Sequence, residues 1–352
     1  MLLNYIRGII AMKKLSFILI VFLCAFFTGC SSDSDKSVNN NNNSEYQKIE
    51  LVMAVNGTDT QIDTKVANKF SELVSEASGG NVTVSVYPND QLASGNATKG
   101  IEMLAVGSVD LAAYATSVMA ALDEKIGIAT IPYTFDNYQE ARQIIDTTGG
   151  EFYKKRLAEK GITYLGSFHN GFRQISNSKH EVRTPEDVQG LKIRVPGGEV
   201  YMDFFRTLGA DPIAMSWSEV FTAIQQGTID GQENGVSITK SAKMNEVQKY
   251  ITLWNYSYEN DLFVANSKIW NSLEPKTQEL LREKAREACE WGRDQVEQEE
   301  DVIIQEFRDD EIIVTELSPT ELNAFKEAVA PVREKFIQQY GADNYAAFCL
   351  NP

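Results

Sequence analysis

The 352-residue sequence predicts an α/β fold built as two lobes, and three observations carry that expectation. Short strand-like runs alternate with helical runs from about residue 48 onward, a pattern that favours mostly parallel strand pairing. Two passages echo each other: "KGIEMLAVGSVDLAAY" and "SEVFTAIQQGTIDGQE" both run helix, glycine, small or β-branched residues, aspartate, strand, with Gly107 and Gly227 as the matching glycines. The echo reads as one supersecondary unit used once per lobe; chance recurrence of a common junction is the alternative. Residues 275–307 hold no proline after the first position and little turn chemistry. As one helix they would run about 50 Å at 1.5 Å per residue, too long for one lobe, so the helix should lie across both. The alternative is two shorter helices broken at Gly292.

The elements follow in order. "KIELVMAV" (48–55) is a buried strand, residues 62–77 carry helical apolar spacing, and Val82, Val84 and Val86 share one face of a strand. "TPEDVQG" is a helix of one or two turns, with Thr184 as N-cap, Pro185 at its first position and Gly190 as its stop. In "GLKIRVP" (190–196), Leu191, Ile193 and Val195 lie on one strand face, with Lys192 and Arg194 on the other; Pro196 ends the strand. "SWSEVFTAIQQG" opens with a Ser216/Glu219 capping box and closes at Gly227.

The N-terminus addresses the chain outside the cytoplasm. From Met12, "MKKLSFILIVFLCAFFTGC" gives two lysines, an apolar run too short to span a bilayer comfortably, small residues and Cys30. Residues 1–29 are therefore expected to be a signal peptide. "FTGC" resembles the bacterial lipobox, with Phe27 where an aliphatic residue is commoner, and implies that Cys30 carries lipid; ordinary signal cleavage is the alternative. Residues 30–46, rich in Ser and Asn, read as a disordered tether. Cys289 and Cys349 then remain and could pair.

Charge and motifs exclude several classes. With 33 basic against 49 acidic residues and a net charge of -16, the chain lacks the basic surface that nucleic acid requires. Two histidines and no clustered cysteines argue against a protein-built metal site. No GxSxG, P-loop or GxGxxG stretch is present, and no cofactor is expected. Three polar residues instead stand at element ends: Arg173 after "SFHNG", Arg194 near the end of its strand, and Asn234 closing "TIDGQEN". In open α/β sheets such ends converge on a crevice, where paired guanidinium N–H groups suit a carboxylate. The plainer reading is that each arginine pairs with a local acid.

The span from "HNGFRQISNSKHEVRTPEDVQGLKIRVPGGEVYMDFFRTLGADPIAMSWSEVFTAIQQGTIDGQEN", with "YPNDQLASG", "IATIPYTFDNYQEA" and "LEPKTQELLREKAREA", resembles the extracytoplasmic solute receptors of tripartite ATP-independent periplasmic (TRAP) transporters. The resemblance covers about residues 48–340. It implies a two-lobed, periplasmic-binding-protein-like (type II) α/β fold with hinge strands and a long helix spanning both lobes. Lobe I is expected over 47–170 plus 260–299, and lobe II over 171–259 plus 300–352. It implies that Arg194 clamps a ligand carboxylate, helped by Arg173, with Asn234 adding a polar contact and Trp217 facing the ligand.

Tyr256 stands in "NYSYEN" where many relatives place a histidine, and Tyr114 lies in "DLAAYATS" with no acid before Thr116; both are expected at the ligand. Gly197 and these departures argue against a sialic-acid ligand. Trp217 and the tyrosines favour a sugar acid or aromatic acid over a bare C4-dicarboxylate. The expected protein is a monomeric, lipid-anchored periplasmic receptor that hands an organic acid to membrane permease subunits and is not an enzyme. A lipid-anchored enzyme acting on such acids, and a ligand-sensing subunit for a signalling partner, are the rival readings.

Overall fold

The computed structural model describes residues 45–350, so residues 1–29, Cys30 and nearly all of the tether lie outside the described residues. Nine strands are present among them: β1 (Ile49–Val55), β2 (Val82–Tyr87), β3 (Leu111–Ala115), β4 (Ile162–Asn177), β5 (Lys192–Val195), β6 (Asp211–Ala214), β7 (Gly231–Asn234), β8 (Tyr250–Asn266) and β9 (Ile313–Glu316). They form one sheet in the order β2-β1-β3-β8-β4-β7-β5-β6, with β9 paired to β8. β4 and β8, 16 and 17 residues long, run antiparallel through the middle and belong to both lobes. Their ladder shifts register at His169/Gly171, midway between the lobes, where β-bulges re-aim strands.

The order reads nearly the same from either end. In the first lobe β1 pairs in parallel with β2 and β3, and β3 then meets β8 antiparallel. In the second, β5 pairs in parallel with β6 and β7, and β7 meets β4 antiparallel. The echoed passages are the matching units: the helices Ala97–Val106 and Trp217–Gln225, left-handed glycines at Gly107 and Gly227, then β3 and β7. Pairing is thus parallel within each lobe but mixed overall, because the two long strands needed to join the lobes return on each other. Five of the eight pairings are parallel, as expected, and each antiparallel one involves β4 or β8.

Residues 275–309 form one unbroken helix, Pro275–Asp309. Ala285, Ala288, Cys289 and Val296 pack into a core with Val66, Phe70 and Phe263, while Ile303 and Phe307 pack with Val236, Ile251 and Ile312 in the second lobe. Gly292 does not break the helix. A Cβ there would stand 2.3 Å from Val66 Cγ2, so glycine permits close approach of the helix Ile62–Ala77. A second helix, Pro319–Tyr340, also bridges: Phe325 and Val329 pack in the second lobe's core, whereas Phe336, Tyr340 and, beyond it, Tyr345 and Phe348 pack with Ile145, Tyr153 and Leu157. The end of the chain, expected with lobe II, therefore contributes to the core of lobe I.

Two local expectations also change. "TPEDVQG" forms a short 3-10 turn, Pro185–Val188, with its capping box between Thr184 and Asp187. Ser216 caps the helix Trp217–Gln225 without a side-chain hydrogen bond, so the box with Glu219 does not form. Cys289 and Cys349 are both free, the first buried on the long helix and the second beyond Tyr345. Among the described residues no helix is long and apolar enough to cross a membrane.

Candidate functional site

The carboxyl ends of the parallel strands in both lobes face one cleft. Asn56 follows β1, Ser117 lies just beyond β3, Arg194 is next to last in β5, Met215 follows β6 and Asn234 ends β7; all five line the cleft. This is where α/β sheets place ligands. The main chamber holds about 430 Å³, a volume suited to a small molecule, and a narrow inner end of about 40 Å³ reaches Arg173, Asn170, Asp63 and Gln61. A larger groove of about 720 Å³ lies on the outer face of the first lobe, between the helix Thr148–Ala158 and the long helix. None of the site residues expected from sequence lines it.

Arg194 is placed by alternation. Ile193 and Val195 enter the second lobe's core, so Arg194 points to the opposite face, and Pro196, Gly197 and Gly198 turn the chain away along the cleft. Gly197 and Gly198 have φ of 116° and 74°, backbone that a side chain would strain. Arg194 is 4 % exposed; its guanidinium donates from Nε to the Met215 carbonyl at 3.0 Å and lies 5.2 Å from the centre of the Trp217 ring. Among the described residues it pairs with no carboxylate. Burial pushes its pKa down to about 9; attraction to Glu233 opposes that fall and repulsion by Arg173 adds to it.

Arg173 sits beside it in a different state. Its Nε and Nη2 grip both oxygens of Glu233, the latter at 2.8 Å, and Nη1 donates to Glu259 Oε2 at 3.1 Å. Burial works against its charge, but Glu233 and Glu259 outweigh burial and hold it well above the usual range. For Arg173 the plain reading, pairing with local acids, describes the geometry, although the residue also lines the inner end of the cleft. Glu259 is held from both lobes: Thr116 Oγ1 at 2.5 Å and the Ser117 amide at 3.0 Å from one side, Tyr201 OH at 2.8 Å from the other.

Asn234 and Trp217 line the cleft. Asn234 Oδ1 accepts from the Gly235 amide at 3.2 Å. The two tyrosines do not line it. Tyr114 is fully buried under β3, donating to Asp90 Oδ1 at 2.7 Å, because its strand lies between two others with both faces covered. Tyr256 is buried against Phe204 and Trp254 and donates to Glu233 Oε2 at 2.7 Å, so it steadies the acid that holds Arg173. His169 lies away from the cleft, between Tyr258 OH at 2.6 Å and Glu297 Oε1 at 2.9 Å.

Sequence reading passed over Gln61, Asp63, Ser117 and Asn170 in the lining, and Glu233 and Glu259 behind it. The one available signal was an excess of polar residues in strands otherwise apolar, as in "GQEN" and "YEND". Among the described residues no group of three or more His, Cys, Asp or Glu is placed to hold a metal ion.

Residues 53–339 match the family described as bacterial extracellular solute-binding protein, family 7. The chain is 31% identical over 281 residues to the 2,3-diketo-L-gulonate-binding periplasmic protein of Escherichia coli, covering 79% of this chain and 84% of that one. It is 31% identical over 285 residues to the C4-dicarboxylate-binding periplasmic protein DctP of Rhodobacter capsulatus, covering 80% and 85%. Its fold matches the crystal structure of the sugar acid binding protein of Advenella mimigardefordensis in complex with galactonate, with a TM-score of 0.82, 29% identity, and 86% and 97% of the two chains covered. This chain therefore belongs to bacterial extracellular solute-binding protein family 7, the DctP family of TRAP-transporter solute receptors.

Proposed function

We propose that this receptor captures an organic acid by its carboxylate on Arg194, closes its lobes over it and delivers it to TRAP permease subunits. The observation that carries the reading is the buried Arg194 guanidinium, which pairs with no carboxylate among the described residues. A cation held out of water in a cleft, fixed by Trp217 and the Met215 carbonyl, is preorganised for a planar anion. Arg173, already saturated by two glutamates, contributes positive field and a wall, while Asn234 offers a polar contact. The relatives' ligands (a diketo sugar acid, C4-dicarboxylates and galactonate) all present a carboxylate. The family consists of binding proteins, and His169 faces Glu297 instead of the cleft. Screening an acid library by thermal shift tests the reading, since a saturating ligand raises the melting temperature by mass action. No shift with any carboxylate would refute it.

Closure is assigned to bending of β4 and β8 near His169–Gly171 and Glu259–Asp261, with lobe I at 47–170 plus 260–299 and lobe II at 171–259 plus 300–331, the C-terminal end from Val332 carried by lobe I. Scattering should show a smaller radius of gyration with ligand. Cys30 is assigned as the lipidated N-terminus and residues 31–46 as its tether, leaving the receptor on the membrane as a monomer. Mass spectrometry of the mature N-terminus decides this, and a terminus other than lipidated Cys30 refutes it.

A further inference from the structure

Residues 89–95, from the stretch "YPNDQLASG", are strained and yet tightly held. Asn89, Asp90 and Ser94 have φ of 56°, 49° and 57°, the left-handed region that most side chains avoid, and Gly95 follows at 81°. Backbone of this kind persists only where its surroundings over-determine it. Here they do. The Asn89 and Asp90 amides donate to the carbonyls of Gly57 and Val55 at 2.7 and 3.0 Å, and the Gly95 amide closes the segment on the Asp90 carbonyl at 3.0 Å. Asp90 is buried, and its carboxylate accepts from Tyr114 OH at 2.7 Å and from Asn56 Nδ2 at 2.5 Å. Gly100 leaves room for this anchor, since a Cβ there would stand 2.1 Å from Tyr114 OH.

The strained segment ends against the opposite lobe. Ser218 Oγ donates to the Gly95 carbonyl at 3.5 Å, and a Cβ on Gly95 would stand 3.4 Å from that same oxygen. Thr60 Oγ1 also crosses between the lobes, donating to the Ser241 carbonyl at 3.3 Å. Both partners of the Gly95–Ser218 contact adjoin the ligand chamber. Asn56, bonded to Asp90, lines it from the first lobe, and Asn96, next to Gly95, caps the helix Ala97–Val106 there. Trp217, next to Ser218, carries the ring over which Arg194 lies. A ligand that touches Asn56 and Trp217 therefore steadies both partners, and the contact exists only while the lobes are together. An interaction made in one state alone shifts the population toward that state by its own free energy.

Resting on the reading that the lobes close over a ligand, we propose that residues 89–95 latch the closed cleft, with Tyr114 and Asp90 as positioning residues that hold the segment in the shape that carries Gly95 onto Ser218. The test is stopped-flow binding and calorimetry of the mature protein with D-galactonate, 2,3-diketo-L-gulonate, succinate, pantoate and D-erythronate. Wild type is compared with Tyr114→Phe, Gly95→Ala, Ser218→Ala and the double variant Tyr114→Phe/Ser218→Ala. Each single variant should release whichever acid binds two- to ten-fold faster, with association nearly unchanged. The double variant should release it no faster than the faster single one, because both changes act on one contact. Should Tyr114→Phe fail to fold, Gly95→Ala takes its place in the double variant. Unchanged release from Ser218→Ala and Gly95→Ala would overturn the latch and leave the receptor standing. So would effects that multiply in the double variant, since Tyr114 would then act through the core alone. Binding by wild type without contraction of its radius of gyration in scattering would refute closure and the latch with it, and absence of binding by every acid of the panel would overturn both the latch and the carboxylate reading.

Discussion

Replacing Arg194 separates a ligand clamp from a structural cation, because the two roles predict opposite effects on the ligand-free protein. Burial pushes this guanidinium from its ordinary value down to about 9, so keeping it charged in the fold costs on the order of 5 kcal/mol at any pH below that value. Arg194→Leu removes that cost. It also removes one hydrogen bond to Met215, about 1 kcal/mol, and the contact with Trp217, about 1–2 kcal/mol. The ligand-free variant should then gain about 2 kcal/mol and melt several degrees higher. Binding moves the other way. Truncating one member of a desolvated charge pair costs about 2–5 kcal/mol, a loss of roughly thirty- to several-thousand-fold in affinity. Arg194→Lys should also bind poorly, since an ammonium cannot reproduce the planar fork or its stacking on Trp217. Scanning calorimetry without ligand and titration with the best acid of the screen measure both effects. Near-normal affinity in Arg194→Leu, or a drop in its ligand-free melting temperature, would refute the reasoning.

Burial raises Asp63 to about 7, against the pull of the Thr64 and Gly57 amides, so the native state holds a proton that the unfolded chain has lost above about pH 4. Its contribution to stability falls as pH rises through that window, and Asp63→Asn should gain on wild type by up to about 3 kcal/mol between about pH 5 and about pH 8. A difference in urea stability independent of pH would show the group titrating normally. Burial lowers His169 to about 4, so stability is lost as pH falls from about 6.5 toward 4. Nitrogen NMR at neutral pH should find the Nε2–H tautomer, donating to Glu297 and accepting from Tyr258; an imidazolium would contradict it. Gly292→Ala should cost about 1–3 kcal/mol in urea unfolding by pressing on Val66, with partial rescue by Val66→Ala. Full stability in Gly292→Ala would mean the two helices are free to separate.

Sequence alone determined what depends on near neighbours. The alternation of Leu191, Ile193 and Val195, stopped by Pro196, was enough to put Arg194 on the cleft face at a strand end, because strand side chains alternate whatever surrounds them. The doubled helix–glycine–strand unit and the proline-free run over 275–307 likewise announced two lobes and a spanning helix, since both are local patterns repeated or sustained. Tertiary structure decided which partners those residues meet. Arg173 and Arg194 look alike in sequence, yet Glu233 and Glu259 reach only Arg173, and that difference leaves Arg194 open to a ligand. Tyr114 and Tyr256 were placed at the ligand but are buried, because whether a strand has one covered face or two depends on strands and helices far away in sequence. Gln61, Ser117 and Asn170 carried no signal at all. Lining a cleft is not a property of a residue but of everything folded around it, and these three come together only when a helix start, the turn after β3 and the middle of β4 close on one cavity.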